Sequence, residues 1–490
     1  MLATGRSLWA PIVILLLMLS VAVGYVVSTY GDKAGYLTIL SVLGIALSLC
    51  FLAFPRFGFY FTIIYSFVVT DIARFIGGGV SLSSTVDPLI LATFAGVLIQ
   101  KVSKRDYVGK YCNHPIVYAY IIYATYTLLQ IFNPNLETTG RMFVIIRKFL
   151  ILLTFYYSTL QLFNTRKEIV RFFKIFLTMA FITGLYACYQ QWFGMPQYEL
   201  NFILSDPLLV GLYRMDDGGF RKFSFMADPK GFGLLMAAVS IAVVILALNI
   251  KMKMKKRLLL LGAAILLMVA MSYSGTRTAT FMLVMGLVLY VMLTIANRTT
   301  LIFTCIGALG FLFILYGPIY GNVTINRIRS TFDLKTDASL KVRDINRKNI
   351  QPYMHAHPFG GGLGTTGILN IKDNPTHPLS GFPTDSGFLQ VALEAGWIGL
   401  IIQCVVYFLI IQQAIRAYFR SKSRINRPFF LVAAAVVFAY SVAQYAQVAI
   451  GAPPGIFLFY GLIATVIRLS QMEKEKEEKV RKMREDSTVV

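Results

Sequence analysis

Arginine side chains stand at the ends of long apolar stretches, where a cation could bind an anionic group at a membrane surface. The residues Ser-Gly-Thr-Arg-Thr at 274–278 place Arg277 at the start of one such stretch. An arginine at the centre of a membrane helix costs about 2.5 to 3.5 kcal/mol, so we expect Arg277 either to snorkel to the interface or to face a ligand or a wet cavity. The glycine allows close backbone approach, and the helix N-terminus behind it favours an anion.

A second group of cations precedes another apolar stretch. Arg214 and Arg221 are followed by Asp228 and Pro229, a pair that commonly begins a turn or a helix. The pattern alone is weak, but it lies at the same kind of boundary as Arg277. We therefore group these arginines as candidates for one anion-binding site.

A third group lies in a polar segment and has helical spacing. Arg343 and Arg347 are four residues apart, so they share one face of the predicted helix. Each guanidinium presents a planar donor fork that suits the oxygens of a phosphate. The alternative is a solvated basic face with no ligand.

Two carboxyl groups follow, at the start of another apolar stretch. Asp385 lies at the membrane surface close to the cations, which makes it the better candidate for a general base. Glu394 lies about 13 Å deeper along the same predicted helix. It is either a functional carboxyl or a hydrogen-bonded structural one at a helix crossing, where Gly396 and Gly399 permit close packing.

Histidines and a glycine run separate the arginine pair from Asp385. His355 and His357 are two residues apart, His377 follows later, and no carboxylate motif surrounds them, so we predict no metal site. The run Gly360–Gly367 lacks the Lys-Ser/Thr of a Walker loop. We interpret it as flexible backbone that can approach a substrate.

The amino-acid composition indicates that membrane-spanning helices position these residues. The hydrophobic fraction is 57% and the charged fraction 14%, which is too apolar for a water-soluble fold. We predict an all-α polytopic membrane protein of about 14 transmembrane helices. The predicted spans begin near Leu8, Tyr36, Phe57, Val86, Ile116, Met142, Phe172, Phe232, Leu258, Thr278, Leu301, Ser386, Phe429 and Gly455.

The basic residues indicate the orientation of the chain. Clusters near residues 101–110, 166–174, 251–257 and 416–427 fall on one side, and cytoplasmic loops carry such an excess. The net charge of +23 therefore reports topology rather than nucleic-acid binding. Both termini are predicted to be cytoplasmic, with periplasmic loops at about 194–230 and 320–384, the second large, partly helical and between helices 11 and 12. Residues 1–469 form the integral domain and 470–490 a charged cytoplasmic tail.

In this order, the features at the predicted outer face resemble those of the bacterial O-antigen ligase and O-antigen polymerase superfamily. The matching elements are the arginine and Asp-Pro segment 221–232, the Ser-Gly-Thr-Arg turn at Arg277, the segment Ser339–Arg343, the glycine run and the stretch Asp385–Leu400. Each motif alone is loose, and it is their joint order that carries the resemblance.

The resemblance implies a membrane glycosyltransferase of the bacterial inner membrane that uses neither metal nor another cofactor. It would transfer or polymerise a glycan from an undecaprenyl diphosphate carrier onto the hydroxyl of an acceptor glycan or of lipid A core. Arg277 and Asp385 would be catalytic, and the substrate-binding residues would be Arg214, Arg221, Arg343, Arg347, His355 and His357.

One departure from the family pattern bears on the choice of reaction. Ligases usually show a histidine base where this chain has Asp385, which favours a polymerase or a related exopolysaccharide enzyme. Asp385 could instead orient the acceptor while His355, His357 or His377 supplies the base. The alternative function is a transporter or flippase of lipid-linked oligosaccharide, for which polar residues near the bilayer midplane and two related halves are typical.

Overall fold

The computed structural model describes residues 17–488 except 19, 23, 26, 30, 78–81, 138–139, 216–217, 319–320, 333–337 and 369. The predicted span that begins near Leu8 lies largely outside the described residues, and so does the side chain of Ser339.

The described part of the chain is helical and contains no β-strand. The helices are α1 (Asp32–Ala53), α2 (Pro55–Ile76), α3 (Val86–Ser103), α4 (Pro115–Leu129), α5 (Gly140–Leu162), α6 (Arg166–Trp192), α7 (Gln197–Leu204), α8 (Pro207–Tyr213), α9 (Pro229–Asn249), α10 (Met254–Tyr273), α11 (Arg277–Thr294), α12 (Arg298–Tyr316), α13 (Val323–Ser330), α14 (Ala338–Ala356), α15 (Asn370–Asp373), α16 (Gly387–Arg420), α17 (Arg427–Ala446) and α18 (Gly455–Thr488).

Eleven helices of the described residues are long and apolar enough to cross a membrane, so the chain is a multi-pass membrane protein. They are α2 to α6, α9, α11, α12 and α16 to α18. The predicted number of about fourteen is not confirmed. The predicted spans near Tyr36 and Leu258 correspond to α1 and α10, which fall outside this set. The described side chains of α1 form an apolar stretch over Ser41–Ala53, and the first turn of α10 is rich in lysine and arginine.

Helix α9 forms the centre of the bundle and packs against α10, α11 and α17. In the most apolar stretch of α9, 94% of the residues are buried inside the protein. In the corresponding stretch of α12 only 6% are buried, so α12 lies at the periphery. A Cβ atom added at Gly286 of α11 would lie 2.4 Å from Cδ1 of Ile241 in α9 and 3.1 Å from Cβ of Ala439 in α17. Small residues thus let these three helices approach closely, as packing in a bilayer requires.

Two long segments lie at one end of the bundle, which we call the loop face. Residues 193–228 contain α7 and α8, and residues 317–386 contain α13, α14 and α15. A Cβ atom added at Gly275, between α10 and α11, would lie 3.5 Å from Nε of Arg221 in the first segment and 3.3 Å from Nε of Arg327 in the second. The second segment corresponds to the predicted partly helical loop, whose periplasmic location stays a prediction.

The opposite end, the tail face, is organised by Arg468 of α18, which is 1% exposed. Its guanidinium carbon lies 3.3 Å from the ring centroid of Tyr111, and its Nε donates to the carbonyl of Phe163. One turn further on, Glu473 accepts hydrogen bonds from Ser421 and Asn426. These contacts attach the charged tail to three loops, and the tail then continues α18 as an exposed helix.

Candidate functional site

A buried arginine of α2 holds the loop at residues 220–228 in place. Arg74 is 7% exposed, and its guanidinium carbon lies 4.4 Å from the ring centroid of Phe223 and 5.1 Å from that of Phe202. The guanidinium also donates to the carbonyls of Ser224 and Met226. A buried cation is tolerated only when it is well partnered, so these contacts fix the loop to the bundle.

Arg221, from the same loop, contacts the turn that precedes α11. Its Nε donates to the carbonyl of Ser274 at 2.8 Å, and its Nη2 donates to the hydroxyl of Thr276 at 2.9 Å. That hydroxyl donates in turn to the carbonyl of Pro229, the first residue of α9, at 3.1 Å. Arg277 follows directly as the first residue of α11 and is half-buried. The structure thus places two predicted site residues on either side of one turn.

The Ser-Gly-Thr turn has its glycine for a conformational and a steric reason. Gly275 has a φ of 59°, in the region that side chains rarely adopt, and the guanidinium groups of Arg221 and Arg327 both lie against it. Burial and the nearby Arg327 lower the pKa of Arg221 to about 10. Arg221 remains a cation at neutral pH, and an anion bound nearby would relieve its repulsion with Arg327.

A cavity of about 440 Å³ opens beside Arg221, and we call it the cation cavity. Asp228 and Lys230 line it at the start of α9, and Tyr440 and residues 448–449 and 451–455 line it on the other side. The hydroxyl of Tyr440 is buried and has no hydrogen-bond partner among the described residues. The guanidinium of Arg221 lines this space and is held there by its Nη1, which donates to the carbonyl of Leu212 at 3.3 Å, and by its bonds to the turn before α11.

The remaining predicted cations of this region lie elsewhere. Arg277 does not line the cation cavity. Arg214 is exposed at the end of α8, where its backbone forms an isolated bridge with Phe220. Asp228 accepts a hydrogen bond from the amide of Gly231 at 2.8 Å, so it also caps α9.

Arg343 and Asp385 form the second part of the site. Nε of Arg343 lies 4.0 Å from Oδ2 of Asp385, and their side chains are 25% and 40% exposed. Asp385 directly precedes Ser386, which caps α16 by accepting from the amide of Leu389 at 3.3 Å. The hydroxyl of Ser386 donates to the carbonyl of Gln444 at 3.2 Å, which ties the start of α16 to the end of α17.

Arg347 contacts Tyr445, a residue that the sequence analysis did not single out. Its Nη1 donates to the hydroxyl of Tyr445 at 2.8 Å, and its Nη2 donates to the carbonyl of Tyr445 at 3.2 Å. The guanidinium carbon also lies 4.4 Å from the centroid of the Tyr445 ring. Arg347 therefore attaches α14 to the end of α17.

The glycine run packs against a break in α16, contrary to its interpretation as flexible backbone. Gly396 has a φ of 71° inside the helix, and the amides of Gly361 and Gly362 donate to the carbonyls of Leu393 and Glu394 at 2.8 and 3.0 Å. A Cβ atom at Gly396 would lie 2.0 Å from the carbonyl oxygen of Pro358. The glycines are needed because two backbone segments are in direct contact.

Glu394 takes part in the same contact. Its carboxylate accepts hydrogen bonds from the hydroxyl of Thr366 and, at 3.3 Å, from the amide of Gln390, and the residue is 5% exposed. These bonds fit the structural alternative, a satisfied carboxyl at a helix crossing.

The three histidines lie at the far end of α14. The ring of His357 stacks on Tyr353 with centroids 4.0 Å apart, and the ring of His355 lies 6.2 Å from Trp397. His377 is buried, and its Nδ1 accepts from the amide of Leu379 at 3.1 Å. Arg343 is twelve residues before His355 on α14, about 18 Å along the helix. Among the described residues, no group of His, Cys, Asp and Glu side chains has the arrangement of a metal site.

A second cavity, of about 360 Å³, extends into the bundle between α4, α5, α16 and α18. We call it the tyrosine cavity because Tyr123, Tyr126, Tyr407 and Tyr460 line it. It shares Val448 and Gly451 with the cation cavity, so the loop between α17 and α18 forms a common wall. Gly387, two residues after Asp385, lies at its edge.

A family model matches one part of this site, and the residues that line the cation cavity lie outside the matched segment. Residues 262–404 match the O-antigen ligase family model. The resemblance to the O-antigen ligase and polymerase superfamily is confirmed over this segment, which contains Arg277, Arg343, Asp385 and the glycine run. Arg214 and Arg221 lie outside the matched segment. No curated protein matches the chain.

Proposed function

We propose that this protein is an O-antigen ligase-like or polymerase-like glycosyltransferase that acts at the periplasmic face of the bacterial inner membrane. It transfers a glycan from an undecaprenyl diphosphate carrier to a hydroxyl of an acceptor glycan or of lipid A core. The observation that carries this proposal is the position of Arg221, which lines the cation cavity and is bonded to the turn that carries Arg277.

The carrier diphosphate binds in the cation cavity. Arg221 and Lys230 line this space, and Arg277 begins the adjoining helix, so the charge of the leaving diphosphate develops beside fixed cations. Preorganised cations of this kind stabilise a transition state because they need no reorganisation as the charge forms. The residues supply this function without a metal or another cofactor.

Asp385 acts as the general base. It takes the proton of the acceptor hydroxyl while the new bond to the sugar C1 forms and the bond from C1 to the diphosphate oxygen breaks, and the diphosphate departs with the electron pair. Arg343 orients the carboxylate. The geometry favours Asp385 over His355 because His355 lies about 18 Å from Arg343 along α14, far from the start of α16.

The membrane setting agrees with these roles. A lipid-linked donor needs cations at the membrane surface and helices that leave its polyprenyl tail in the bilayer, and both are available at the loop face. With both termini cytoplasmic and the loop face periplasmic, the partners are the lipid-linked glycan, the acceptor and the bilayer, and nucleic acid is not a partner.

Reconstitution tests the proposal. Purified protein in liposomes is given an undecaprenyl-diphosphate-linked oligosaccharide, with and without lipid A core, and the products are separated by size. We expect a ladder if the protein is a polymerase and a single transfer to core if it is a ligase. Unreacted substrate that has crossed the bilayer would establish a flippase instead, and the proposal would be wrong.

A matched pair of variants tests the donor site in the same assay. Lys230→Gln removes a cation that lines the cation cavity, whereas Arg147→Gln removes an exposed cation that lines neither cavity. We expect a raised donor KM for Lys230→Gln alone. Equal effects of the two substitutions would contradict the placement of the diphosphate.

A further inference from the structure

Lys148 is a cation with an unusual position on α5. It lies eight residues after Gly140, about 12 Å along the helix, and it is exposed on a membrane-spanning segment. No hydrogen bond or ion pair joins it to another described residue. An ionised side chain at such a depth either snorkels to the interface or has an anionic partner or a polar cavity.

Its two basic neighbours on α5 are paired. Arg141 lies 3.1 Å from Asp373, and Arg147 lies 3.5 Å from Asp87. The acidic side chains of this region therefore neutralise the flanking arginines and leave the charge of Lys148 for a ligand.

Lys148 also stands where two cavities meet. A shallow cavity of about 530 Å³ is lined by Arg141, Ile145, Lys148 and Asp373. The tyrosine cavity is lined by Ile145 and Lys148 as well. The side chain of Lys148 therefore lies at a mouth that leads from the surface of α5 into the bundle.

The tyrosine cavity is polar enough for a ligand that carries sugars. Gln403 lines it, is 7% exposed, and has a carbonyl oxygen with no partner among the described residues. Gln390 and Gln444 also line it. Amide side chains between tyrosine rings offer the hydrogen bonds and the apolar faces by which proteins bind carbohydrate.

We propose that Lys148 binds the phosphate of a second glycolipid, the membrane-anchored acceptor, which enters laterally between the membrane and α5. This assignment as acceptor rests on the proposed transfer function. The lipid tail stays in the bilayer, the phosphate binds at Lys148, and the sugars extend past Gln390 and Gln444.

The sugars of an acceptor in the tyrosine cavity would extend towards the donor in the cation cavity. The tyrosine cavity meets the cation cavity at Val448 and Gly451, and its edge at Gly387 lies beside Asp385. An acceptor anchored at Lys148 and a donor held at Arg221 thus approach the same wall from opposite sides. The two sites have the same ligand chemistry, a lipid-borne phosphate, and differ in the helices that form them.

Counting bound lipids tests this inference without requiring turnover. The full-length protein in phosphatidylcholine nanodiscs is loaded with undecaprenyl diphosphate, and the lipids retained are counted by native mass spectrometry. We expect two for the natural protein and for Arg147→Gln, and one for Lys148→Gln and for Lys230→Gln. In the transfer assay Lys148→Gln should raise the acceptor KM about tenfold and leave the donor KM unchanged.

The outcomes separate this inference from the proposed function. Retention of two lipids by Lys148→Gln overturns the acceptor site and leaves the donor site standing. Loss of a lipid in Lys148→Gln but not in Lys230→Gln supports the lipid site at Lys148 and contradicts the donor site. Displacement of the lipid at Lys148 by inorganic diphosphate at equal concentration would show a site for a soluble anion, and the lipid proposal would be wrong.

Discussion

Nε of Arg343 lies 4.0 Å from Oδ2 of Asp385 at the point where α16 begins. This separation exceeds that of a hydrogen bond, so the cation orients the carboxylate and leaves its oxygens able to accept from another group. A base that must take the proton of an incoming hydroxyl needs such an arrangement.

The first prediction concerns this carboxylate. Asp385→Asn keeps the shape of the side chain and removes its basicity, so we expect kcat to fall by about 100-fold or more. Asp344→Asn is the matched control, because Asp344 is 67% exposed and lies 3.7 Å from Arg347. Single-turnover rates measure the effect, and a fully active Asp385→Asn protein would exclude Asp385 as the base.

The second prediction separates the two arginines of α14. Arg343 contacts Asp385, whereas Arg347 is held by Tyr445 through hydrogen bonds and its ring. Arg343→Ala should therefore lower kcat, while Arg347→Ala should lower stability and change kcat much less. Tyr445→Phe should reproduce part of the stability loss of Arg347→Ala. A kcat loss in Arg347→Ala as large as that in Arg343→Ala would place both guanidinium groups on the substrate.

The third prediction tests the contact between the glycine run and the break in α16. Gly396→Ala adds a Cβ atom 2.0 Å from the carbonyl oxygen of Pro358 at a φ of 71°. We expect a loss of about 1 to 3 kcal/mol in stability, measured as a lower Tm in detergent. Gly262→Ala is the control, since a Cβ atom there meets nothing within 4 Å. Equal Tm values for the two variants would contradict the close contact.

The fourth prediction concerns pH. Burial raises the pKa of Glu199, although its carboxylate accepts hydrogen bonds from Tyr186 and Gln190. The folded protein thus holds this proton more tightly than the unfolded chain. The resulting stability is fully present below the ordinary pKa of 4.5 and is lost as the pH rises through the raised value.

Thermal melting across a pH series measures this effect. The Tm advantage of the natural protein over Glu199→Gln should be larger near pH 4 than near pH 7.5. The exposed Glu475→Gln variant gives the baseline, with no such pH dependence expected. A Tm difference that grows with pH would show that the carboxylate form is the stabilising one.

Boundary patterns in the sequence were enough to select candidate residues that the structure brings close together. Arg221, Arg277 and Asp385 each precede an apolar stretch, and side chains at the same membrane surface have a high chance of meeting. The contact of Arg221 with the turn before Arg277 follows from this, and so does the proximity of Asp385 to Arg343. Local sequence patterns are enough to group residues when the membrane surface confines them to one layer.

Contacts that depend on a particular three-dimensional pairing could not be predicted in this way. The binding of Arg347 by Tyr445 and the approach of Arg327 to Gly275 join segments far apart in sequence. The glycine run was interpreted as flexible because the sequence does not show which segment it packs against. In the sequence the break at Gly396 is only an isolated glycine in an apolar helix. The number of spans stays a prediction, because α1 and α10 fall outside the eleven apolar helices found among the described residues.

The attachment of α18 at the tail face has a practical consequence. The helix is 34 residues long, about 51 Å, and Arg468 and Glu473 anchor it before its charged end leaves the bundle. A small helical domain joined in register after Thr488 would stand at a fixed distance and direction from the membrane. Such a fusion would serve as an alignment landmark for single-particle imaging of a protein whose mass is otherwise hidden in a micelle.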